Sequence, residues 1–156
     1  MMQWTPDFTV GSNVLDDDHK AFFSLCGLLR DAQQSGDALM VIESATALLE
    51  EYVAGHFLRE EMAMRSANYP DIVAHIHEHE LFKTQVLSII ADCRQADGSA
   101  VLKLAQVTYD WLVKHIMLVD TRYSAWIKDV DVDKRPLGQL LADSYGEDPD
   151  NDGIGM

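Results

Sequence analysis

No stretch of the sequence approaches the roughly 20 consecutive apolar residues of a helical membrane span, so a membrane-embedded protein is not expected. Basic residues are scarce: 12 Lys and Arg stand against 26 Asp and Glu, for a formal charge of −14. No local basic cluster offsets that imbalance, which argues against nucleic acid and anionic membrane surfaces as partners. Cysteine is confined to Cys26 and Cys93, each inside a helical pattern. Both read as small buried hydrophobes rather than as a disulfide or a metal-binding pair. The opening MMQWTPDFTVGSN lacks the basic and apolar regions of a secretion signal, and a cytoplasmic location is expected.

Several catalytic patterns are missing as well. There is no Glu-x-x-His of the kind that oxygen-activating di-iron enzymes place on paired helices; only Asp16 and His19 have that spacing, with Asp instead. His75 and His79 have the outer spacing of a zinc-protease motif, but Ile76 stands where the general base belongs. No histidine precedes an aspartate, as an adjacent His-Asp phosphohydrolase would need, and no Ser or Cys lies beside a free histidine for nucleophilic catalysis. The protein is therefore expected not to be an enzyme.

What is present is helical periodicity. A chain of 156 residues with 47% apolar content fits one domain with a single core. The first helix is predicted from about Asp16 to Gln34, with His19, Phe22, Phe23, Cys26 and Leu29 on one stripe, ending at Ser35 and Gly36. A second, from about Asp37 to Arg65, carries Ala45, Leu48, Tyr52, His56, Glu60 and Ala63 on a common face. The third begins with Pro70 in its first turn, where a missing N–H costs nothing. It carries Ile72, His75, His79, Phe82, Val86 and Ile89 as far as Asp97 and Gly98. The fourth runs from about Ser99 to Lys128 with Leu104, Thr108, Trp111, Leu112, His115 and Val119 inward.

Four such helices with short connections specify an all-α, up-down-up-down antiparallel four-helix bundle over residues 1–128, preceded by an extended N-terminal arm anchored by Trp4 and Phe8. Residues 129–156 form a C-terminal extension, with a short helix expected at Leu137 to Tyr145 and an acidic, disordered tail after it. Asp148, Asp150, Asp152 and Gly153 match the opening of an EF-hand loop, but neither the closing Glu nor a following helix is present.

The candidate functional residues lie on the same stripes as the core. His56 with Glu60, and His75 with His79, are spaced four apart and so share a helix face; His19 and His115 add one imidazole from each remaining helix. Imidazole nitrogen suits iron, copper, nickel or zinc, and a carboxylate can bridge two ions, which argues against calcium or magnesium. Burying these groups unpartnered would cost several kcal/mol each, so a metal site for two ions is expected. Asp120 follows His115 by five residues, which in a regular helix turns it off the His115 direction. Either the helix is distorted there, as at a π-bulge, or the carboxylate reaches in from the side. His77 points away from its neighbours and is expected in solvent, and the Asp16–Asp18 run is expected to cap a helix N-terminus and to place favourable charge there.

These residues together resemble the hemerythrin family, in particular its single-domain bacterial members. The matching segments are DDDHK around His19, HFLREEM around His56 and Glu60, the NYPD turn, HIHEHELF around His75 and His79, and WLVKHIMLVD around His115 and Asp120. The resemblance implies a non-haem di-iron centre that binds O2 reversibly. One iron would take His75, His79 and His115 and the other His19 and His56, with Glu60, Asp120 and a solvent-derived oxo or hydroxo group between them. If each iron prefers about six ligands, the second is one short, and O2 would bind there. Trp111, Leu112, Ile116 and Phe57 are candidates for an apolar O2 pocket, and Tyr52 for a hydrogen bond near the site. The implied role is oxygen carriage, storage or delivery. An O2 or redox sensor acting on an unidentified protein partner is the alternative, as is modest peroxide or nitric oxide chemistry at the same centre.

Overall fold

The computed structural model describes residues 3–36, 39–94 and 98–146. The helices are α1 (Asn13–Ser35), α2 (Leu39–Ser66), α3 (Ile72–Arg94), α4 (Gly98–His115), α5 (Thr121–Ile127) and α6 (Leu137–Gly146), with a π-helical turn at Ile116–Asp120 between α4 and α5. No strand occurs among the described residues, and no helix among them is long and apolar enough to cross a membrane. Packing runs α1 on α2, α2 on α3, α3 on α4 and α4 back on α1, the closed square of an up-down-up-down bundle.

Local chemistry sets the ends of the rods. The Ser12 hydroxyl accepts from the Leu15 amide to cap α1, and Gly36 ends it in the left-handed conformation at φ 67°. Between α2 and α3 the turn depends on Asn68 at φ 54°, a conformation Asn tolerates better than most residues. Helix α3 starts at Ile72, so Pro70 lies just outside the first turn rather than within it. The expected starts of the second and fourth helices fall at the edge of or outside the described residues, as does the EF-hand-like tail.

The N-terminal arm docks as its aromatic residues suggest. Phe8 packs on Phe23 with ring centroids 5.3 Å apart, and Lys20 Nζ lies 4.6 Å above the half-buried Trp4 ring. Val10 is fully buried, and its carbonyl accepts from Ser124 Oγ at 2.8 Å. Asp16, in the first turn of α1, is not a cap; its carboxylate accepts from the Val10 amide and the Thr9 hydroxyl, fastening the arm to the helix.

Phe22, Phe23, Leu29, Leu49, Val53, Phe82, Val86, Ile90 and Leu104 are part of one buried apolar core. Leu48 departs from expectation at 43% exposure, while Leu49 is fully buried. Stepping back seven residues from His56 turns only about 20° off its direction, whereas eight turns about 80°, so Leu49 follows His56 inward. Cys26 and Cys93 are both free and buried, as their positions imply.

Candidate metal centre

All seven side chains singled out in the sequence converge at one level of the bundle, each between 0% and 4% exposed. Helix α1 supplies His19, α2 His56 and Glu60, α3 His75 and His79, and α4 His115. The π-turn supplies Asp120, which settles the direction that a regular helix would have denied it. The Thr121 amide bonds back to the Ile116 carbonyl, five residues earlier. That wider turn brings residues five apart onto one face, and Asp120 Oδ1 comes to 2.9 Å from His115 Nε2.

The atoms fall into two unequal sets. In one, the Nε2 atoms of His75, His79 and His115 gather, with His115 Nε2 3.2 Å from each of the other two. In the other, His19 and His56 face each other with Nε2 atoms 3.1 Å apart. Each carboxylate divides its oxygens between the sets. Glu60 Oε1 lies 2.7 Å from His75 Nε2 and 3.1 Å from His79 Nε2, while its Oε2 lies 3.0 Å from His56 Nε2. Asp120 Oδ1 faces His75 and His115, and its Oδ2 lies 3.3 Å from His19 Nε2.

This arrangement fits metal ions better than protons. Neither oxygen of Asp120, a fully buried carboxylate, has a hydrogen-bond partner with good geometry among the described residues. A single proton on His115 Nε2 cannot serve both His75 and His79. Donor atoms about 3 Å apart are also what adjacent corners of a coordination sphere require at metal–ligand distances of about 2.1 Å. Two groups of potential ligand atoms satisfy mutual proximity: Glu60, His75, His79, His115 and Asp120 form one, and His19, His56 and Glu60 the other.

Surrounding residues hold the imidazoles in place. Phe57 stacks on His79 at 3.8 Å and Trp111 on His115 at 4.1 Å, so both aromatic candidates from the sequence sit against the three-histidine set. Leu112 and Ile116 are buried, and Phe22 stands edge-on to His56 at 5.4 Å. The half-buried Tyr52 packs its ring on Phe22.

Three polar neighbours were not legible as site residues. Asp18 was expected to cap a helix; instead it is buried, and its Oδ2 accepts from His56 Nδ1 at 2.9 Å. That bond puts the proton on Nδ1 and turns the Nε2 lone pair inward. Glu61 Oε1 lies 3.6 Å from His79 Nδ1. Tyr123, fully buried, donates its hydroxyl to Glu60 Oε2 at 3.0 Å, and burial beside Asp120 and Glu60 raises its pKa well above the usual phenol range. Its three-residue spacing from Asp120 on a helical stretch was the available signal. Asp18 and Glu61 each adjoin a ligand in sequence and point to a ligand on another helix, which a pattern within one helix cannot show. His77 is exposed, as expected; His77→Ala should leave metal content per chain unchanged by elemental assay, and loss of metal would contradict the placement of α3.

A four-helix bundle with a buried five-histidine, two-carboxylate cluster able to hold metal defines the class of protein. The profile of the "Hemerythrin HHE cation binding domain" matches residues 10–127, and the chain belongs to the hemerythrin family. It is 31% identical over 128 residues to the bacteriohemerythrin of Methylococcus capsulatus, covering 79% of this chain and 94% of that one. It is also 31% identical over 140 residues to the bacteriohemerythrin of Pseudomonas paraeruginosa, covering 90% and 86%. A crystal structure of wild-type hemerythrin superposes with a TM-score of 0.69 at 28% identity, covering 82% of this chain and 98% of that one.

Proposed function

We propose that the chain binds O2 reversibly at a di-iron centre, as a carrier, store or delivery protein without turnover of its own. The observation that carries this reading is the inequality of the two sets. Glu60 and Asp120 give an oxygen to each, but three imidazoles serve one side and two the other. With about six ligands preferred per ion, an ion on the His19–His56 side would have one protein ligand fewer than its neighbour, and there a small molecule would bind. A bound pair of ferrous ions supplies the two electrons with which O2 can be held and returned.

The chain's own residues then do two jobs. The five imidazoles and two carboxylates fix the ions in a buried, low-dielectric cage, and the apolar wall keeps bulk water and protons from reaching them. In that wall Trp111 lies on His115, Phe57 on His79 with His56 at 6.0 Å, and Phe22 beside His56; Leu112 and Ile116 are buried as well. Two polar groups near that side are engaged: Asp18 holds His56, and the Tyr123 hydroxyl donates to Glu60.

The test is anaerobic reduction of the iron-loaded protein followed by exposure to O2, with metal counted and the visible spectrum recorded. Two irons per chain and an oxygenated spectrum that reverses when O2 is removed are expected. Absence of a transition metal, or irreversible oxidation on first contact with O2, would contradict it.

A further inference from the structure

Beyond α5 the chain runs beside the C-terminal half of α2, where Val130–Lys134 and the α2 residues Met62, Ala63 and Ser66 line a common groove, and α6 then packs on α2. The helix contact is close. A Cβ on Gly55 would lie 2.8 Å from Leu137 Cβ and 3.4 Å from Leu137 Cα, so α6 can sit where it does only because position 55 carries no side chain.

One turn along α2 from Gly55, Arg59 is 5% exposed. Its Nη1 and Nη2 donate to the carbonyls of Asp133 at 3.2 Å and Arg135 at 2.7 Å. Its Nε lies 3.2 Å from Asp18 Oδ2, the same oxygen that accepts from His56 Nδ1. A continuous line of contacts therefore runs from the backbone of residues 133–135 through Arg59 and Asp18 to His56. The far end is braced: the Asp133 carboxylate accepts from the Arg135 amide and guanidinium, and Arg135 Nη1 pairs with Asp143 of α6 at 2.7 Å. Among the described residues no such line from this segment reaches the three-histidine set, where Glu61 Oε1 lies 3.6 Å from His79 Nδ1; ring nitrogens without a hydrogen-bond partner occur on both sides, His75 Nδ1 and His79 Nδ1 on one and His19 Nδ1 on the other. Residues 133–135 also lie beyond the stretch 10–127 that the family profile matches.

We propose that the segment 129–146 is a positioning element for the two-histidine side of the metal centre: docked on α2, it holds Arg59, and through Asp18 it keeps His56 Nε2 turned inward. This rests on the di-iron reading above. Arg59 and Asp18 are positioning residues, acting on the metal only through His56. When the segment lifts, the buried guanidinium loses both carbonyls and must find water. Asp18 is then no longer held from behind, and His56 loses the partner that fixes its tautomer and ring orientation. Outer partners of this kind typically change metal affinity by 10- to 100-fold. Here the effect falls on one ion of the two, which is the side assigned to O2, so docking of this segment sets the state of the O2 site.

The experiment uses the full chain loaded anaerobically with Fe(II). Gly55→Ala forces α6 away from α2 while leaving Arg59, Asp18 and all seven candidate ligands intact; Arg59→Met removes the middle link directly. Iron retained per chain is followed during chelator competition, and hydrogen exchange of residues 137–146 reports docking. Expected are faster exchange in Gly55→Ala, and in both variants two-step iron loss, with one iron about 10- to 100-fold weaker and the other as in the unsubstituted chain. Fast exchange with both irons held normally overturns the proposal, as does equal weakening of both irons, which is the mark of a general loss of packing. Should α6 stay docked in Gly55→Ala, Arg59→Met decides: selective loss supports the proposal and unchanged retention overturns it. Failure of the unsubstituted chain to hold two irons is a separate result, which overturns the di-iron reading itself.

Discussion

Replacing Glu60 by Ala is expected to abolish the paired metal site, leaving at most one ion per chain. Glu60 is the one side chain from α2 with an oxygen in each set, Oε1 toward His75 and His79 and Oε2 toward His56. Its removal breaks a link between the sets and strips a buried carboxylate from among imidazoles whose charge it balances. It also orphans the Tyr123 hydroxyl, which donates to Oε2; a buried donor left without a partner costs about 1–3 kcal/mol on its own. Elemental assay and the visible spectrum read the result. Retention of two irons per chain with an unchanged spectrum would mean that Glu60 is not a bridge.

Removing the metal is expected to produce the largest change in stability. A ligand present at about 1,000 times its dissociation constant contributes about 4 kcal/mol to the folded state. At roughly 2–4 °C per kcal/mol for a chain of this size, chelation should lower Tm by about 8–16 °C. The difference should also depend on pH in a definite direction. In the metal-free chain burial opposes charge on His56, but hydrogen bonds that its ring donates to the Asp18 and Glu60 carboxylates overcome it and push its pKa up to about 10. His75 is raised to about 9, against burial, by the adjacent Asp120 and Glu60 carboxylates.

Both lie above the ordinary 6.5, so the stability they contribute to the metal-free fold is complete below pH 6.5 and is lost as pH rises through about 9 and 10. Metal binding requires those same protons to leave, so loading strengthens over the same rise. The gap in Tm between loaded and chelated protein should therefore widen from pH 6.5 toward pH 9. Thermal melts with and without chelator check this, and a gap that stays constant or narrows would contradict it.

The fold and most of the site were legible because both obey one rule, that the histidines share a period with the core. His56 and Glu60, and His75 and His79, lie four apart on stripes that also carry Phe82, Val86 and Ala63, so the convergence of four helices brings their heads together. Asp120 needed more. Its five-residue spacing from His115 admits two explanations, and only the backbone shows that a π-turn is the one used. Asp18 was hidden because its partner, His56, stands on another helix; in a row of three aspartates at a helix start it reads as a cap or as charge. The role of Arg59 depends on a segment more than 70 residues away returning to place two carbonyls against it, with separations of 74 and 76 residues. Contacts of that kind leave no periodic trace.

The most direct test of the central claim is a crystal structure of the iron-loaded chain with anomalous scattering measured at the iron edge. Two peaks are expected inside the bundle, one among His75, His79 and His115 and one between His19 and His56, each within coordination distance of an oxygen of Glu60 and an oxygen of Asp120. A single peak, or peaks at any other set of side chains, would contradict the account.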